Sequence, residues 1–177
     1  TPVNLTNVTS ITASDLSDLT TLNTNRGEFS NITGIAAITV TDNGGGTDSV
    51  DYGTLQTIVD NYQTNFNSAA VFSFQSGDTI DIDSSSELSA FLTDIGSGAL
   101  ALTDQVITVD SGTTLSVADA RSLAADTTGK VTASITTGTR VSDLTTLRNP
   151  GGGNEENEWT ITIDALDATV ATAVQLN

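Results

Sequence analysis

The chain has 177 residues, 37% of them hydrophobic and 5% aromatic, and its 22 acidic against 5 basic residues give a net charge of −17. That charge repels phosphate backbones and anionic lipid heads, so nucleic acid and a bare membrane are poor partners and cations are favoured. With no Cys and no His, disulfides, thiolate zinc sites, a thiol nucleophile and the usual His activation of Ser or Thr are all excluded.

The length suits one domain, 1–177, with a core built mainly from Ala, Val, Ile and Leu. Thr, Ser, Asp and Asn fill much of the remainder, and so acidic a surface stays soluble where salt screens its self-repulsion, as in a saline medium. No apolar run approaches the roughly 20 residues needed to cross a bilayer. The chain starts at Thr1 without an initiator Met or a visible signal peptide, and its repeats favour a segment of a longer polypeptide.

Val8 to Leu22 reads VTSITASDLSDLTTL, and Val131 to Leu147 reads VTASITTGTRVSDLTTL. The hexapeptide SDLTTL recurs identically at Ser17–Leu22 and Ser142–Leu147 behind a shared V-T…S-I-T segment, which marks an internal repeat. Ile35, Ile38 and Val40 predict a strand, and Leu55, Ile58, Val59 and Tyr62 recur at helical spacing. Val71–Phe74 and Thr79–Asp83 predict strands. Ser84–Ser86 then cap a helix whose apolar face is Leu88, Phe91, Leu92 and Ile95, with Gly96 as its stop.

Gln105–Asp110 alternates as a strand, and Ser116–Ala125 predicts a Ser-capped helix. Lys130–Thr136 predicts another strand, with helical spacing at Val141, Leu144 and Leu147. Glu158–Asp164 predicts a strand with Trp159, Ile161 and Ile163 on one face, and Ala165–Gln175 a closing helix. Strand starts in this half lie about 25–28 residues apart, inside the window of stacked repeats. The fold expected is α/β, with short strand–helix repeats stacked in a solenoid-like slab; a Thr-rich all-β sandwich is the alternative.

The SDLTTL copies, the strand ends I-T-V-D at Ile107–Asp110 and I-T-I-D at Ile161–Asp164, and Thr127-Thr128-Gly129-Lys130-Val131 resemble segments of very large Thr/Ala/Asp-rich extracellular surface proteins. Such proteins, of the adhesin, S-layer and motility type, belong to marine cyanobacteria and related secreting bacteria, and fibre proteins of viruses infecting such hosts are similar. The resemblance implies a cell-surface or extracellular location, a structural or adhesive role, and no catalytic residues.

Two acidic tri-glycine loops carry the sharpest local chemistry: TDNGGGTDSVD at Thr41–Asp51 and RNPGGGNEENE at Arg148–Glu158. Calcium takes six to eight oxygens on a sharply turning loop. Asp42, Asp48 and Asp51 in the first loop, or Asn154, Glu155, Glu156 and Glu158 in the second, are the candidate ligands. Neither loop matches an EF-hand or a nonapeptide calcium repeat, and a solvated connection explains both. The tri-glycines are not phosphate cradles, because no G-K-[ST] follows.

Asp78, Asp81 and Asp83 form a second acidic cluster in which Asp81 and Asp83 alternate with Ile80 and Ile82. Paired carboxylates serve glycoside hydrolysis, but alternation of core Ile with solvent Asp accounts for the spacing. Lys130, the sole lysine, is a candidate for an isopeptide crosslink and is read more simply as a solvated residue. Asn4, Asn7 and Asn31 each head an N-x-T sequon, which Thr-rich composition supplies by itself.

The function expected is a non-enzymatic extracellular structural or adhesive module that self-associates with identical or tandem units. The alternative is a calcium-dependent module binding a surface glycan, and a carboxylate hydrolase ranks third.

Overall fold

A computed structural model describes residues 2–41, 49–139, 147 and 157–163. Helices and parallel strands alternate along it. Strand β1 (Val3–Asn4) and β2 (Ser10–Ala13) precede helix α1 (Leu16–Thr24), and β3 (Phe29–Ser30), β4 (Ala37–Val40) and β5 (Ser49–Asp51) precede α2 (Tyr52–Asn65). Next come β6 (Val71–Phe74), β7 (Thr79–Ile82) and α3 (Ser85–Ser97), then β8 (Leu100–Ala101), β9 (Val106–Val109), β10 (Thr114–Leu115) and α4 (Val117–Asp126). Strands β11 (Val131–Thr139) and β12 (Glu158–Ile163) are the last elements among the described residues.

Each helix starts where a strand runs out, because an Asp or Ser at that junction caps it. Asp15 accepts from Asp18 N at 2.9 Å, Asp51 from Thr54 N at 2.7 Å, Ser84 from Glu87 N at 3.3 Å and Ser116 from Asp119 N at 3.1 Å. Each cap satisfies an amide that the first helical turn leaves without a partner. Helix α3 runs through Gly96 and ends at Gly98, whose φ of 80° is the left-handed conformation a Cβ would penalise. The stop expected at Gly96 therefore falls two residues later.

All strand pairs are parallel among the described residues. One sheet has the order β2-β4-β6-β8. The larger runs β5-β7-β9-β11, with β10 and β12 also paired to β11. Register offsets run from 20 residues (Thr114 to Ser134) to 34 (Ala37 to Val71). The all-β sandwich is overturned, since four helices lie between these strands and pack in order, α1 on α2, α2 on α3 and α3 on α4.

Period-two alternation decides which side chains go inward. In the smaller sheet Ile11, Ile38, Phe72 and Leu100 fall in one register row, and in the larger Val50, Ile80 and Ile107 do the same. The buried helical residues Leu19, Leu55, Val59, Leu88, Phe91 and Leu123 cover these rows. Phe91 meets Tyr52 edge-on at 5.0 Å between ring centroids, and Tyr62 stacks on Phe66 at 4.4 Å. Ile35, expected in a strand, lies just before β4 at the end of a short 3-10 turn, and it is nonetheless fully buried.

The two sheets meet at a corner held by buried polar groups. Gln105 is fully buried: its Oε1 accepts from Thr103 N at 2.6 Å and its Nε2 donates to Gln75 O at 3.0 Å, in the turn one strand pair earlier. Asp78 is also buried and accepts from Gln75 N at 3.0 Å. Thr127 Oγ1 donates to Gln105 O at 2.7 Å, so the next turn fastens onto the same residue. The backbone approach here is close. A Cβ added to Gly129 would lie 2.2 Å from Gln105 O, whereas one at Gly112 would meet nothing within 4 Å.

Two outcomes follow from this architecture. Gly129→Ala is expected to cost about 1–3 kcal/mol through overpacking against backbone, while Gly112→Ala stays within about 0.5 kcal/mol, both read by urea denaturation. The second concerns Asp94, which accepts a 2.6 Å hydrogen bond from Tyr52 OH and bridges α3 to α2. Burial raises its pKa above 3.8, opposed by the Tyr52 bond and aided by the negative charge of Asp60. The folded state then binds more protons than the unfolded one. The stabilisation is complete below 3.8 and is lost as pH rises through the raised folded value. Melting curves from pH 7 down to 4 should show wild type gaining relative to Asp94→Asn as pH falls.

Candidate functional site

The carboxyl ends of the parallel strands are where acidic side chains gather. Asp51 ends β5, Asp81 lies in β7 with Asp83 just beyond it, and Asp110 follows β9. Register places Asp51 beside Asp81, and Ser49 Oγ donates to the Asp81 carboxylate. Lost hydration, with the negative charges of Glu87, Asp51, Asp110 and Asp81 around it, raises the Asp83 pKa. Asp51 moves the opposite way: hydrogen bonds from the Thr54 side chain and amide lower its pKa, as its capping role requires.

Asp51 is therefore already engaged as a helix cap. Glu158, the candidate from the second loop, opens β12 and forms an ion pair with Lys130 Nζ at 2.7 Å. These two residues lie on strands at opposite sides of the larger sheet and are not brought together. Asp42, Asp48, Asn154, Glu155 and Glu156 lie outside the described residues. Among the described residues, no three acidic side chains converge in a way that would hold a metal ion.

Lys130, with a third of its side chain exposed, is tied to the more exposed Glu158. Next to it, Asn157 Oδ1 accepts from Val131 N at 2.7 Å, so two side-chain contacts fasten β12 to β11 at their starts. The sequon residues Asn4 and Asn31 are joined as well: Asn31 Nδ2 donates to Asn4 Oδ1 at 2.9 Å across the β1–β3 pair.

The acidic cluster of the seventh strand divides. Asp81 alternates with the buried Ile80 and Ile82, and Asp83 is exposed, as the spacing predicts. Asp78 is the exception: it is buried at the corner. An open groove of about 480 Å³ lies between α3 and α4, lined by Ser85, Leu88, Ser89, Leu92, Thr114 and Asp119. Its one carboxylate, Asp119, accepts from Ser116 Oγ at 2.7 Å. A two-carboxylate hydrolytic site needs an acid and a base or nucleophile across a cleft, and this groove offers one such group. No helix among the described residues is long and apolar enough to cross a membrane.

Sequence reasoning reads Gln105 as the start of a strand and quotes Thr127 and Gly129 only for a resemblance, without the corner that the three build. Their partners are about 22–30 positions away, and no local pattern announces them. The only signal is the T-T-G run itself, a turn sequence placed just after a helix. Compared with protein-family models, with curated proteins and with solved structures, the chain matches none.

Because Asp51 caps α2, Asp51→Ala is expected to cost about 0.5–2 kcal/mol in buffer containing a chelator, with no divalent ion present. Asp51→Asn, which keeps the capping oxygen, should lose much less. A full-size loss seen only when calcium is present would reassign the residue to a metal site.

Proposed function

We propose that this chain is an extracellular structural or adhesive module whose strand–helix units stack as a short solenoid-like slab, and that stacking with like units is its function. The supporting observation is the run of in-register parallel pairs, in which each unit buries its aliphatic row against its sequence neighbours. That is the economy of repeat architectures, where stability is a sum over nearest-neighbour interfaces and the stack can be extended at its ends.

The internal repeat supports the same reading. Ser10 and Ile11 pair with Ala37 and Ile38, and the repeat's equivalent residues, Ser134 and Ile135, pair with Thr160 and Ile161. In both copies these residues have a parallel partner 26 or 27 positions later, the first in the smaller sheet and the second in the larger. The second SDLTTL segment lies outside the described residues apart from Leu147, which is half-buried against the core as Leu22 is. A charge of −17 keeps such a module soluble and makes its association depend on cations or salt.

Sedimentation velocity and electron microscopy of the isolated chain check this. Association into linear assemblies should strengthen with concentration and ionic strength. Calcium at constant ionic strength should add little if it acts by screening, and should saturate if it is ligated. A chain that stays monomeric under all these conditions would argue against a stacking role.

A further inference from the structure

We infer that the corner leading into β7 binds a calcium ion through the buried carboxylate of Asp78, with Asp15, Thr41 and Ser49 as its other protein ligands. The site uses neither Asp51 nor Glu158, and it stands whether or not copies of the chain stack.

Two successive corners differ in one residue. Register sets Thr79 beside Val106 and Val40 beside Phe74, so Asp78 is the counterpart of Gln105 and Thr41 the counterpart of Gln75. At the later corner the Gln105 amide closes the gap between turns: Nε2 donates to Gln75 O at 3.0 Å, and Oε1 accepts from Thr103 N at 2.6 Å. At the earlier corner the matching pair is Asp78 and Thr41. The Asp78 side chain is one methylene shorter and, as a carboxylate, can only accept. A cavity of about 80 Å³ lies at this corner, and both residues line it.

The polar groups around the cavity are mostly acceptors. Asp78 is 2% exposed and accepts from Gln75 N at 3.0 Å. Asp15 also lines the cavity and is itself exposed, so the wall runs from solvent to a buried carboxylate. Thr41 and Ser49 bring hydroxyls whose protons are placed elsewhere. Thr41 Oγ1 donates to Ala13 O at 3.1 Å, and Ser49 Oγ donates to the Asp81 carboxylate. What each has left is lone pairs. Ser14 adds a third hydroxyl, and none of the described residues lining the cavity is basic.

This donor set selects the ion. A buried carboxylate without a counter-charge is costly, and two carboxylates are balanced by two positive charges. Calcium accepts about six to eight oxygens in flexible geometry, which an irregular set of carboxylates, hydroxyls and water can supply, whereas magnesium demands a near-ideal octahedron. A water needs about 10–15 Å³ of such space, so the cavity has room for an ion together with waters that complete its shell. Val40 and Val50 form an aliphatic part of the wall, where attraction between ion and carboxylate is stronger than in water. Water alone would satisfy the acceptors but leave their charge unbalanced.

The test is calorimetric titration of calcium chloride into the full 177-residue chain, stripped with chelator and held at constant ionic strength, with melting curves alongside. Wild type should bind calcium saturably and melt higher as calcium rises. Asp78→Asn keeps the side chain's shape and the oxygen that meets Gln75 N, and gives this corner a donor as Gln105 gives the next. It should weaken calcium binding about tenfold or more while still folding in chelator. A Thr41→Val, Ser49→Ala double variant keeps both carboxylates and removes two ligand oxygens, and it should also weaken binding about tenfold. Asp51→Asn should bind calcium as wild type does.

Wild type that shows no saturable calcium binding overturns the site and leaves the cavity to water. Calcium binding that survives unchanged in Asp78→Asn and in the double variant overturns it as well. Loss of binding in Asp51→Asn with retention in Asp78→Asn would move the ion to the first tri-glycine loop, again against this site.

Discussion

The rest of the molecule depends on parallel strands held in register. Once Ser10 lies beside Ala37, and Ala37 beside Val71, every inward row is fixed: Ile over Ile over Phe on one line, Ala over Val over Phe on the next. A slip of one residue would turn Thr12, Thr39 and Ser73 into the core and Ile38 and Phe72 into water. That would exchange favourable apolar burial for buried hydroxyls without assured partners. Helices follow from the same constraint. They begin where strands end, capped by whichever Asp or Ser the strand leaves there.

The corner between the sheets solves a second problem. Parallel strands need connections, and here successive turns come so close that Gly129 has no room for a Cβ against the backbone of Gln105. Gln105 joins the turn before its own at Gln75, and the turn after it fastens on through Thr127. A buried amide with both ends satisfied costs little, whereas one left half-satisfied would cost a substantial part of a domain's stability. The ladder thus ties successive units together without adding apolar surface, which suits a chain so poor in aromatic residues.

Elements with a local cause were legible in the sequence. The strand at Gln105–Asp110, the Ser116 and Ser84 caps, and the helical face of Leu55, Ile58, Val59 and Tyr62 all stand where alternation or 3.6-residue spacing places them. Gly96 misled because glycine is tolerated inside a helix, and the left-handed stop falls to Gly98. Asp78 reads as a solvent residue of its acidic cluster for a different reason: its burial is set by the neighbouring turn, which no short window contains. Of the candidate calcium ligands, Asp51 and Glu158 already have local partners, and nothing in acidic composition could show that in advance.

The chain's aromatic residues divide the described fold into optically separate regions. Tyr52 and Tyr62 are fully buried at its middle, among Phe91, Phe66 and Phe72. Trp159, the single tryptophan, is half-buried on the last described strand. Indole emission therefore samples the environment of the last described strand, while the near-ultraviolet dichroism of the tyrosines samples the interior. The protein carries its own pair of reporters, one half-buried on β12 and one in the core, without any label being attached.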